Sequence, residues 1–151
     1  MRSQVTTRQI EKRIQRITTA ILRDLGFDLF SVSYLLSDDR YIRELNRTYR
    51  KIDKATDVLS FPLYQFYRGE LMEPILVQEE TVLLGDVVIS LDTIRRRTSG
   101  REREFNRYLL QAVIHAILHL VGYDHTTLKE RRVMREKERD LFNKFREVFD
   151  V

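Results

Sequence analysis

The chain has no cysteine and no tryptophan, two prolines, five glycines and three histidines among its 151 residues. Without cysteine there are no disulfides and no thiolate ligands, which argues against a closed structural zinc site and fits a reducing compartment. Sparse proline and glycine leave no low-complexity tract and no linker between domains. Long apolar runs are missing too. The most apolar stretch, Tyr108 to Tyr123, carries Gln111, His115 and His119 and is too short to span a membrane. Met1-Arg2-Ser3-Gln4-Val5 leads straight into an amphipathic pattern with no apolar core of a signal peptide, so the cytoplasm is the expected location. An excess of acidic charge is also absent: the net charge is +4, compatible with a nucleic-acid partner without requiring one. With 42% hydrophobic residues, the length predicts a single domain over residues 1–151 with its own core.

The three histidines all fall within His115-Ala116-Ile117-Leu118-His119-Leu120-Val121-Gly122-Tyr123-Asp124-His125. His115 and His119 are one helical turn apart on the same face, near enough to converge on one ion. Gly122 supplies the left-handed conformation that ends a helix, and the returning chain would bring His125 round as a third ligand. Three ligands leave a position open, as catalytic zinc sites do. The metzincin pattern H-E-x-x-H-x-x-G-x-x-H has the same histidine and glycine offsets, but its glutamate is replaced here by Ala116. The metal cage is therefore present while the usual general base of a zinc peptidase is absent. The plain alternative is a pair of ordinary histidines at the polar edge of a buried helix.

Around this stretch the periodicities predict the rest of the chain. Ile10, Ile14, Ile17, Ile21 and Leu25 mark an amphipathic helix from about residue 6 to 25. Residues 27–36 alternate as a strand, and Ser37 is the expected N-cap of a helix whose buried stripe is Ile42, Leu45 and Tyr49. Residues 56–62 form a short strand stopped by Pro62. Residues 63–82 read as a long loop with a short strand around 75–77. Residues 83–90 form a third strand, followed by a short helix. The metal helix spans about 102–121, apolar almost all round and hence interior. Thr127 and Glu130 predict a capping box for a last helix pinned by Met134, Leu141, Phe145 and Val148. The sum is an α/β (α+β) fold: a small mixed sheet packed with five to six helices. Arg95, Arg96 and Arg97, joined by Arg101, Arg103 and Arg107, form the densest basic cluster. Such runs are ordinarily solvated; placed before the metal helix, Arg95, Arg96 and Arg97 are candidates to guide an RNA backbone.

Four stretches, LNRTYRKID (45–53), TDVLSFP (56–62), LGDVVIS (84–90) and HAILHLVGYDH (115–125), resemble in this order the YbeY-type proteins, zinc-dependent single-strand-specific endoribonucleases of bacteria. The resemblance covers about half the chain. It implies a zincin-like placement of the metal helix and one Zn2+ per chain. It also implies a cytoplasmic role in rRNA processing, including the 3′ end of small-subunit rRNA, and in ribosome quality control, with ribosomal particles or assembly factors as partners. By position His115, His119 and His125 match the family's zinc ligands, and Arg50 matches an arginine facing the metal across the cleft. This chain has Ala116 and Lys51 where the family usually has glycine. A zinc held by three neutral imidazoles would acidify water and polarise a phosphoryl oxygen, and Arg50 would stabilise the charge that builds on phosphorus. Asp124, beside a ligand, either orients an imidazole or caps the turn. Two other readings fit the same residues: another zinc hydrolase such as a peptidase, and a non-catalytic ribosome-binding factor with a structural metal.

Overall fold

The computed structural model describes residues 5–73 and 81–151. Helix α1 (Thr7–Asp24) buries Ile10, Ile14, Ile17 and Ile21 to 2% exposure or less. Its start is a reciprocal capping box. Gln9 N–H donates to the Thr6 hydroxyl (3.2 Å) and Thr6 N–H to the Gln9 side-chain oxygen (2.8 Å). Strand β1 (Phe30–Ser37) and helix α2 (Asp39–Arg50) follow. The N-cap of α2 is Asp38, which accepts from Tyr41 N–H at 2.9 Å, and not the expected Ser37. Ser37 still pairs with Ser90 in the sheet, which moves the cap one residue on.

Tyr49 is also displaced from the expected buried stripe. It is 64% exposed, with its ring edge against Phe61 at 5.3 Å. Ile42 and Asn46 hold the inner positions instead, and the Asn46 amide donates to Lys54 C=O (2.8 Å), tying down the loop after the helix. Lys51 ends α2 in the left-handed region (φ 60°, ψ 28°), so a lysine makes the turn that a glycine would make without strain.

Strands β2 (Val58–Pro62) and β5 (Val82–Ser90) complete a three-stranded mixed sheet with β5 in the middle, parallel to β1 and antiparallel to β2. Its central position explains the almost unbroken burial of β5. Pro62 ends the edge strand, where a missing N–H costs no ladder bond. The expected long loop contains a small hairpin, β3 (Phe66–Tyr67) with β4 (Glu70–Leu71). Its two turn residues, Arg68 and Gly69, both have positive φ (47° and 85°), as a type I′ turn demands. The strand expected at 75–77 lies outside the described residues.

Helices α3 (Leu91–Arg97), α4 (Glu102–Leu120) and α5 (Leu128–Phe145) bring the described helices to five. One large apolar cluster joins α1, α4 and α5 to one face of the sheet through Val87 and Ile89. A smaller cluster of Ile42, Leu59 and Val88 seats α2 on the other face. The α5 box is half-made: Glu130 N–H reaches the Thr127 hydroxyl (3.1 Å), but the Glu130 carboxylate accepts from Thr126 (2.6 Å). Val148, expected in the core, is 71% exposed because the helix has already ended at Phe145. Phe149 takes its place at 1% exposure under the Arg13 guanidinium. Among the described residues no helix is long and apolar enough to cross a membrane.

Candidate metal centre

Helix α4 carries apolar residues on nearly every face, and Leu110, Val113, Ile117 and Leu118 are wholly buried. His115 and His119 lie on the one stripe that opens to a cleft of about 1180 Å³, shared with Arg107, Tyr108 and Gln111 of the same helix. The helix ends in a Schellman motif. Tyr123 N–H bonds to Leu118 C=O (3.0 Å) and Gly122 N–H to His119 C=O (3.1 Å), with Gly122 at φ +89°. Gly122 is constrained twice, because a Cβ there would stand 2.3 Å from Phe66 C=O. The β3–β4 hairpin closes over this helix end: Arg68 and Gly69 N–H donate to Gly122 and Val121 C=O (3.2 and 2.7 Å). The reversal brings His125 back beside His115 and His119. Arg131 of α5 holds it by donating to His125 C=O at 2.9 Å.

One nitrogen from each of the three histidines lies within 4.8 Å of the others, and the ring centroids are 4.8, 5.1 and 5.8 Å apart. Tetrahedral zinc with bonds of about 2.0–2.1 Å needs nitrogens about 3.3 Å apart, so a modest contraction of these rotamers forms the site. The donor set also fits electrostatically. Burial, then the neighbouring His115 and His125, push the His119 pKa down from 6.5 to about 4, with Arg50 adding to the effect. The imidazole is thereby held neutral, the form that binds a metal. Ala116, at the place of a peptidase glutamate, is a buried methyl with 1% exposure. A carboxylate comes instead from α5: Glu138 Oε1 lies 3.3 Å from His115 Nδ1. With Nδ1–H donated there, His115 turns its other nitrogen to the cluster, the arrangement of metal-bound histidines generally.

Arg50, the last residue of α2, lines the opposite wall of the same cleft. It has no carboxylate partner among the described residues, and its charge is felt by His119. The Asp124 carboxylate accepts from His125 N–H at 2.7 Å, and the same oxygen lies 3.8 Å from His125 Nδ1. Arg95, Arg96 and Arg97 do not line the cleft. Arg95 lies over the Phe105 ring, and Arg96 pairs with Asp39 at 2.6 Å, joining α3 to α2. Arg97 donates to the Tyr108 hydroxyl (2.5 Å), which donates in turn to Asp57 (2.7 Å), bracing the cleft wall from behind. Glu138 and Arg131 carry no signal of their own in the sequence. Helix α5 carries many charged residues, and its pattern does not single out these two. Arg68-Gly69 is not among the favoured hairpin dipeptides, so only Gly69 marks a turn in the sequence of the β3–β4 hairpin.

Comparison with known proteins agrees with this geometry. The family model described as Endoribonuclease YbeY matches residues 1–146. Proteins named Endoribonuclease YbeY are similar over most of their length. That of Desulforamulus reducens is 47% identical over 134 residues, 88% of this chain and 84% of that protein. That of Caldicellulosiruptor bescii is 37% identical over 132 residues, 87% and 82% respectively. That of Clostridium botulinum is 31% identical over 147 residues, 91% and 89%. The fold is similar to the solution structure of a Thermotoga maritima protein, with a TM-score of 0.53 at 22% identity, covering 96% of this chain and 89% of that one. Three histidines converging in a basic cleft and a family match over almost the whole length lead to one conclusion: this chain belongs to the endoribonuclease YbeY family.

Proposed function

We propose that this protein is a zinc-dependent, single-strand-specific endoribonuclease that acts in the cytoplasm as a single domain. Its proposed substrate is ribosomal RNA, including the 3′ end of the small-subunit rRNA, reached on ribosomal particles or with assembly factors. The observation that carries the reading is the placement of three metal-competent imidazoles across one cleft from an arginine without a carboxylate partner among the described residues. Bound among three imidazoles, a zinc ion would supply Lewis acidity toward water and a phosphoryl oxygen. The chain's own residues do the rest. His115, His119 and His125 would hold the ion. Glu138 accepts from His115 Nδ1 and fixes its tautomer. Arg50 offers a planar fork of N–H donors to the negative charge that develops on phosphorus as the diester is cleaved. Asp57 and Tyr108, locked to Arg97, keep the wall rigid.

The test is cleavage of a labelled single-stranded RNA by purified wild type and His119→Ala. Wild type is expected to cut while the variant, retaining a cooperative melt near that of metal-free wild type, does not. Equal cutting by both would assign the activity to a contaminant. No cutting by either, with ribosomal particles still bound, would favour a non-catalytic binding factor, and cleavage of casein would favour a peptidase.

A further inference from the structure

The cleft extends well beyond the histidines. Along α4 its lining residues Arg107, Gln111, His115 and His119 repeat every four positions, so Arg107 lies roughly 12 Å from His115 and 18 Å from His119 along the axis. Helix α5 runs antiparallel beside it. His115 faces Glu138 at one end, and Arg107 shares the Phe142 ring with Arg146 at the other. The two guanidinium carbons stand 5.7 and 5.4 Å from that ring's centroid. Arg139 lines the same cleft one turn away.

What sets these arginines apart is their place along one cleft, two of them against a single ring. Arg43, Arg96, Arg97 and Arg101 are each paired with a carboxylate. Arg107 and Arg139 have none among the described residues, and Arg146 is tied only through Nε to the Val151 main-chain oxygen at 3.2 Å, its two terminal nitrogens keeping no partner among those residues. A ring face holds a guanidinium in place by its quadrupole without neutralising it, so the charge and the outward N–H fork stay available. Each guanidinium can offer two parallel N–H donors to a phosphate diester.

Resting on the RNA reading above, we propose that Arg107 and Arg146, positioned by Phe142 and reinforced by Arg139, form a distal phosphate subsite. It would take a backbone phosphate of the same single strand, several nucleotides from the one presented to the histidines. The enzyme then measures substrate length. Strands too short to span both points bind through the metal end alone, while longer strands gain affinity from the second contact.

The experiment measures affinity of fluorescent unstructured oligoribonucleotides of increasing length, from dinucleotide upward, for wild type and Arg107→Gln/Arg146→Gln at several salt concentrations. Wild-type affinity is expected to step up at the length that first reaches the arginine pair. The double variant should lose that step, binding long strands roughly tenfold more weakly. Its slope of log affinity against log salt should fall by about 0.7, the loss of one phosphate contact on a single strand. Dinucleotide affinity reports whether the metal end is intact in the variant. Equal binding of long strands by both proteins overturns the subsite, as does an equal loss on short and long strands, which would mark a general field. If wild type binds no RNA of any length, the RNA reading itself fails and the subsite with it.

Discussion

His115 is held from two sides, by its place on α4 and by Glu138 reaching across from α5 at 3.3 Å. A carboxylate on the far nitrogen fixes the ring's orientation and raises its basicity as a ligand. Glu138→Ala is therefore expected to weaken zinc binding by about 10–100-fold, measured by competition with a chromogenic chelator. Unchanged zinc affinity would reduce Glu138 to a surface residue. At this scale the ligands could be read from spacing alone, because four residues make one helical turn and a left-handed glycine must reverse the chain. Glu138 could not. Nothing local says which of several acidic residues on α5 meets a histidine 23 positions away.

Among the elements, α2 ends where the cleft begins, and its last turn aims Arg50. Lys51 completes that turn at φ 60°, a conformation that costs an L-residue about 1–2 kcal/mol. Glycine would relieve this, offset in part by its greater freedom in the unfolded chain. Lys51→Gly is expected to stabilise the protein by about 0.5–1 kcal/mol, read as a higher denaturant midpoint at unchanged slope. A lower midpoint would show that the lysine contributes something its exposed bond to Thr48 C=O does not explain. The elements themselves were largely legible. Strong periods marked α1, β5 and α4, and errors collected at ends, where Ser37, Tyr49 and Val148 continue a pattern after the backbone has left it. The β3–β4 hairpin escaped because two-residue strands carry no period, and its role as a lid on the end of α4 is purely tertiary.

For the whole molecule, a metal bound only by the folded chain stabilises it by mass action, by about 2.7 kcal/mol when the free ion exceeds its Kd a hundredfold. Adding zinc to metal-free protein should raise the melting temperature, and a chelator should reverse the rise. An unchanged melt would remove the ion from the folding equilibrium. The metal-free protein should itself lose stability on acidification. His119 has a pKa of about 4 when folded against 6.5 as the ordinary value, so between those limits the unfolded chain binds more protons. Stability contributed by the neutral imidazole is present above pH 6.5, declines as pH falls, and is gone below about 4. Thermal melts across that window would detect it, and a flat profile would contradict the burial of His119.

The sequence by itself determined the class of fold, the identity of the metal-competent residues and the resemblance to a family, since periodicity, helical spacing and glycine conformations are local properties. Tertiary structure alone decided what surrounds those residues. It set Glu138 against His115, placed Arg50 across the cleft, spent Arg96 and Arg97 on bracing the framework, and stacked Arg107 and Arg146 against Phe142. The physical reason is range. A helix or turn is specified by neighbours a few bonds away, whereas the charge, burial and partner of a side chain depend on segments the fold brings together from far along the chain.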